Sequence, residues 1–107
     1  MFTRVVEITS KPGKAREVSR TLNDKVLAIL RTQPGFVDEI MLISDQNPDQ
    51  VLALSFWNSK EDADRYNQEQ FSRVTDLIQN FTQGAPNVRP FNVEQSTIHK
   101  IAAGKAA

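Results

Sequence analysis

The chain has no cysteine in its 107 residues, which removes disulfides, thiolate metal sites and cysteine nucleophiles and suits a reducing compartment. It has a single histidine, His99, so a His-rich metal centre is excluded and a Ser-His-Asp triad would have to use that one residue. An excess of either charge is lacking too: 13 Lys and Arg against 13 Asp and Glu leave a net charge of zero. Like charges never form a long block, so the electrostatic footprint of a nucleic-acid or acidic-membrane binder is absent. No apolar run approaches the ~18 residues of a membrane span. The opening MFTRVVEITS alternates like a strand and shows none of the basic, apolar and cleavage regions of a signal peptide. No phosphate-cradling glycine loop, zinc spacing, nucleophile elbow or dinucleotide fingerprint occurs. These absences lead us to expect a single-domain cytoplasmic protein without metal or cofactor.

What is present is periodicity. Phe2, Arg4, Val6 and Ile8 alternate with Thr3, Val5, Glu7 and Thr9, which predicts a first strand. Pro12-Gly13 turns the chain. From Lys14 the step changes to three and four residues, through Ala15, Val18, Leu22, Val26, Ile29 and Leu30, with charged residues between them. That predicts an amphipathic helix of about five turns, stopped at Gln33-Pro34-Gly35. Two strands follow, Phe36–Ser44 and Val51–Asn58. Ser59, Glu61 and Asp62 begin a second helix, with Ala63 and Tyr66 on its buried side. The helical period continues through Phe71, Val74, Leu77, Ile78 and Phe81 after a kink near Gln68–Gln70. Gly84-Ala85-Pro86 ends it, a loop carries Arg89-Pro90, and Phe91–His99 alternates as a last, more polar strand. Residues 1–99 are read as one domain and 100–107 as a flexible tail.

The order βαββαβ fits the split βαβ arrangement: a ferredoxin-like α+β fold, its four-stranded antiparallel sheet carrying both helices on one face. The central strands, however, are apolar on both faces. Leu52, Leu54 and Phe56 oppose Val51, Ala53 and Trp57, and Ile40 and Leu42 oppose Met41 and Ile43. A sheet apolar on both sides needs a cover on each. The helices supply one cover. A second copy of the chain, packed through the open sheet face as a homodimer, supplies the other. Either Trp57 or Phe56 must lie on that open face.

Three segments carry a family resemblance. They are Lys11-Pro12-Gly13-Lys14, Pro34-Gly35-Phe36, and the strand-to-helix junction Leu54-Ser55-Phe56-Trp57-Asn58-Ser59-Lys60-Glu61 with Ala63 and Tyr66 beyond it. From Val5 to about His99 the chain resembles the antibiotic biosynthesis monooxygenase domain of the dimeric α+β barrel superfamily. The resemblance implies a cofactor-independent monooxygenase acting on a small aromatic or quinol-type molecule in a cavity between sheet and helices. The other reading it leaves open is a non-catalytic or stress-related barrel that binds a small molecule. The heme-degrading branch of the family uses an Asn on the first strand, a Trp on the second helix and a His ligand. Val5 or Val6, Tyr66, and Thr75 or Leu77 stand in those places here, against heme.

The candidate pocket residues are Tyr66, Trp57, Glu39 and Glu7, with no catalytic residue assigned. Tyr66 can line the cavity with its ring while its hydroxyl finds a polar partner, or present that hydroxyl to water. Glu7 and Glu39 admit two readings: a carboxylate paired with Arg4 or with an arginine of a partner copy, or a pocket carboxylate of raised pKa that accepts a proton from a phenol. Arg89 could clamp an anion from its loop. Asp38, Glu39, Asp45 and Asp49 lack the loop pattern of a calcium site and read as solvated turns.

Overall fold

A computed structural model describes residues 1–101; of the expected tail, 102–107 lie outside the described residues. Strand β1 (Phe2–Thr9) leads into α1 (Ala15–Thr21), a π-helical stretch (Leu22–Val26) and α2 (Leu27–Leu30), which run on as one helix. Strands β2 (Phe36–Ile43) and β3 (Gln50–Trp57) follow, then α3 (Lys60–Glu69), α4 (Phe71–Ile78), a 3-10 turn (Gln79–Phe81) and β4 (Asn87–Asn92). The sheet order is β2-β3-β1-β4 with every neighbouring pair antiparallel. The helix-linked strands β1 and β2 are therefore parallel and separated by β3, as the ferredoxin-like reading requires. Among the described residues no helix is long and apolar enough to cross a membrane.

Register decides which residues face the helices. Phe2 pairs with Trp57, Arg4 with Ser55, Val6 with Ala53 and Ile8 with Val51. On β2, Glu39 lies beside Ser55 and Met41 beside Ala53. This face is the core side: Phe2, Val6, Ile8, Val51 and Trp57 are buried with Val18, Leu22, Val26, Leu30, Ala63, Tyr66, Val74 and Ile78 from the helical side. Phe56, not Trp57, lies on the opposite face, together with Leu52, Leu54, Ile40, Leu42 and Phe91.

The first helix explains its own unusual spacing. Val18, Leu22, Val26 and Leu30 recur at strict steps of four and are all buried. In a regular α-helix each such step overshoots by about 40°, so the row would drift off the sheet. The wider π-helical turn over Leu22–Val26 takes up one extra residue and brings Leu30 back onto the core. At the other helix, Ser59 caps α3 by accepting from the Asp62 N–H at 3.2 Å. The expected kink falls at Gln70, between α3 and α4.

Gly35 ties the two helical regions together. It has φ +80°, its carbonyl accepts from the Asn58 N–H at 2.8 Å, and a methyl in place of its hydrogen would overlap the Asp62 carboxylate. The turn out of the first helix is thus seated on the first turn of α3.

The last strand is where the sequence expectation needs correction. It is Asn87–Asn92, not Phe91–His99, and Arg89-Pro90 lies on it and not in a loop. Thr82 bridges back to Ser10, so the chain can re-pair with β1 immediately after Gly84-Ala85-Pro86. Starting opposite Glu7, it reaches Phe2 by Asn92, and the Val93 N–H ends the run on the Met1 carbonyl at 3.0 Å. Pro90 is tolerated because β4 is an edge strand. Beyond it, Ser96 and Ile101 bridge each other, and His99 is carried onto the open face, its ring centroid 5.6 Å from that of Phe56.

Candidate functional site

Between the core side of the sheet and the helices lies a narrow cavity in which about 40 Å³ is open to the centre of a water molecule. Its walls are largely aliphatic, from Val6, Leu22, Val26, Leu30, Val74 and Ile78. Across this apolar surround runs one polar row. Arg4 on β1, Ser55 on β3 and Glu39 on β2 are register neighbours, all on the core side, and all three line the cavity with Tyr66. Ala53, one row along, leaves the space above it.

Arg4 is only 4% exposed. Its Nη2 donates to Asn67 Oδ1 at 2.8 Å, and its Cζ lies 4.3 Å from the Phe71 ring centroid and 5.0 Å from that of Tyr66. Among the described residues no carboxylate forms an ion pair with it. Burial lowers its pKa, opposed in part by Tyr66 and Asp64.

Tyr66 is 3% exposed, and burial pushes its phenol up to about 12, with Arg4 pulling the other way. At neutral pH its hydroxyl is therefore protonated, a donor and not a base. Glu39 is half-buried, and desolvation raises its pKa first; the neighbouring Asp38 charge adds to this and Arg31 offsets part of it. A carboxylate held this way has an increased appetite for a proton.

Trp57 does not line the cavity. It is fully buried behind Tyr66, with ring centroids 5.0 Å apart and Phe36 edge-on at 5.7 Å. Its indole N–H donates to Ser55 Oγ at 2.9 Å, so it fixes both Tyr66 and the middle of the polar row. Glu7 lies on the other face of the sheet. It accepts from Arg89 Nη1 at 2.9 Å and Asn87 Nδ2 at 3.3 Å, and these bonds lower its pKa. Its partner is thus Arg89, not Arg4, and Arg89 holds a carboxylate of its own sheet. His99, with Nε2 3.8 Å from Asp38 Oδ2, is likewise on the face away from the cavity. Asp49 Oδ1 accepts from the Gly13 N–H at 3.2 Å, a turn contact. Among the described residues no group of three His, Cys, Asp or Glu could hold a metal ion.

Sequence reasoning passed over Arg4, Ser55 and Asn67 as site residues. The signal for Arg4 was visible: it shares a period-two row with Phe2, Val6 and Ile8, and so had to enter the core. Asn67 carried none, since only the tertiary fold brings it to Arg4 from 63 positions away.

Residues 1–82 match the family model of antibiotic biosynthesis monooxygenases. Among solved structures, the fold is similar to that of SnoaB, a cofactor-independent oxygenase from Streptomyces nogalater, with 18% identity and a TM-score of 0.73 over 90% of this chain and 95% of that one. It is similar to a candidate antibiotic biosynthesis monooxygenase from Bordetella bronchiseptica, with 13% identity and a TM-score of 0.74 over 86% and 95% of the two chains. A conserved protein from Methanosarcina mazei Go1 follows at 18% identity and a TM-score of 0.68, over 85% and 91%. At these identities the likeness is one of fold. No curated protein matches the chain in sequence.

Proposed function

Because the chain belongs to the antibiotic biosynthesis monooxygenase family, we propose that it is a cofactor-independent monooxygenase of a small hydroxyaromatic or quinol-type molecule bound between sheet and helices. The observation that carries this reading is the presence, in one apolar cavity, of a half-buried carboxyl with raised proton affinity and a protonated phenol: Glu39 and Tyr66.

The chemistry asked of the protein is modest. Glu39 accepts a proton from a substrate hydroxyl or acidic CH, and the electron-rich anion reacts with dioxygen. A carbon–oxygen bond forms and gives a peroxide. Loss of water from it leaves a carbonyl, so a CH2 group and O2 become C=O and H2O, the four electrons that reduce O2 all coming from the substrate carbon. Tyr66 donates a hydrogen bond to the developing oxyanion, and the aliphatic walls exclude bulk water.

The space present is that of a few waters, so a ring enters by displacing side chains. Phe71, Ile78 and Pro86 line both this cavity and an open groove outside it, which makes them the partition a substrate crosses. The partner is a second copy of the chain, seated on the open sheet face, and the cysteine-free composition suits a cytoplasmic setting.

Oxygen uptake with a panel of dihydroxyaromatics tests the reading. Turnover by the wild type that falls ~100-fold in kcat/KM for Glu39→Gln, and less for Tyr66→Phe, supports it. Saturable binding without oxygen uptake would instead make the chain a ligand-binding barrel.

A further inference from the structure

Arg4 is a buried guanidinium that, among the described residues, forms no ion pair with a carboxylate. A buried cation lacking a carboxylate is costly, and an apolar side chain of similar volume in such a place is usually neutral or stabilising. Yet the guanidinium is carefully seated: Asn67 takes one N–H, and the rings of Tyr66 and Phe71 pack against it. Asn67 and the Tyr66 hydroxyl engage part of the guanidinium, no buried polar side-chain atom among the described residues lacks a partner, and Arg4 lines the cavity. A guanidinium has five N–H donors on a rigid edge.

Its place in the polar row adds a distance. Arg4 and Glu39 stand on either side of Ser55, one strand apart on each side, which separates their backbones by about 10 Å. They form no ion pair with each other. A cation and a proton acceptor thus face one apolar space from its two ends.

We propose that Arg4, positioned by Asn67, is an oxyanion-binding subsite, and that the substrate is an aromatic with oxygens at opposite ends of its ring. One oxygen is bound as an anion on Arg4 while the other yields its proton to Glu39. This rests on the cavity being the substrate site of the monooxygenase. It adds the substrate's charge and the disposition of its oxygens, and makes Arg4 a direct substrate contact.

The probe is 4-nitrophenol, whose ionised form absorbs in the visible, titrated with the purified wild-type protein at a pH where the free probe is mostly neutral. Binding should ionise it, lowering its apparent pKa by about one unit, a tenfold shift in its ionisation equilibrium. Arg4→Met should abolish that shift while melting at the same temperature as the wild type or higher, and Arg4→Lys should keep part of it. Asn67→Asp places a carboxylate beside the guanidinium and should quench the shift with Arg4 still present. The proposal is overturned if the wild type leaves the probe neutral, if Arg4→Met ionises it as well as the wild type does, or if Arg4→Met unfolds while Asn67→Asp retains the full shift. An intact shift without oxygen uptake from any dihydroxyaromatic would uphold the subsite and sink the monooxygenase reading, so the two can fail separately.

Discussion

Glu39 has a folded-state pKa above its ordinary value because burial and the adjacent Asp38 penalise its charge. The fold therefore favours the protonated form. Its contribution to stability is present below the ordinary carboxyl range and is lost as pH rises through the raised folded-state value. Glu39→Gln, which keeps the shape and removes the charge, should leave the melting temperature unchanged in acid. At neutral pH it should raise it by about 2–4 °C, the equivalent of ~0.5 kcal/mol. Melts at two pH values check this, and equal gains at both would show that Glu39 is not held as a strained carboxylate. Glu7 has the opposite sign: Arg89 and Asn87 lower its pKa, so its contribution is present at neutral pH and lost as pH falls. Sequence alone left these two carboxylates with the same pair of readings. They separate because strand register sends Glu39 to the core side beside Ser55 and Glu7 to the face shared with Arg89, and register is a property of the paired sheet.

At the scale of elements, the first helix makes its own prediction. If the π-helical stretch Leu22–Val26 is one residue wound into an otherwise α-helical run, deleting the exposed Asp24 returns that run to ordinary α geometry. Leu22 and Val26 become neighbours at a step of three, still on one face. The deletion should be tolerated, costing about 1 kcal/mol or less and shifting the melt by no more than ~8 °C. The same deletion at Asp64 in α3 turns Ala63 and Tyr66 about 100° apart from their present alignment and should unfold the protein. Circular dichroism and thermal melts of the two variants decide the matter; equal damage would refute the bulge account. The helix and its buried row were legible from periodicity, but the π turn was only implicit in the unbroken spacing of four. The Ser59 cap and the break at Gln70 were legible because each depends on local chemistry. β4 was not, because Pro90 and Arg89 look like loop residues until one knows that the strand is an edge paired with β1 from Glu7 to Phe2.

For the whole molecule, the open face of the sheet sets the last expectation. Val5, Leu52, Leu54 and Phe56 are only half-buried there, and Ile40, Leu42 and Phe91 are 38%, 46% and 44% exposed. Together they form an apolar surface that reaches all four strands, bordered by the Glu7–Arg89 ion pair and by His99 against Phe56, of a kind soluble monomers seldom leave open. Two such faces apposed about a twofold axis would bury ~800 Å² on each partner, and at ~25 cal/mol per Å² the gross gain of ~40 kcal/mol exceeds the usual cost of association. Leu54 is central to the face: it lies between Val5 and Ile40 in the register. Leu54→Glu would put a charge in the middle of the apposed sheets, where it has no partner, while in a lone subunit it would stand in water. Sedimentation of the wild type should give a dimer, and Leu54→Glu should give a monomer at micromolar concentration with an unchanged circular dichroism spectrum. A wild type that sediments as a stable monomer at that concentration would sink the dimer. Because Arg4, Ser55 and Glu39 lie on the opposite side of the sheet, the Leu54→Glu monomer should also still ionise 4-nitrophenol, which separates the role of the open face from that of the cavity.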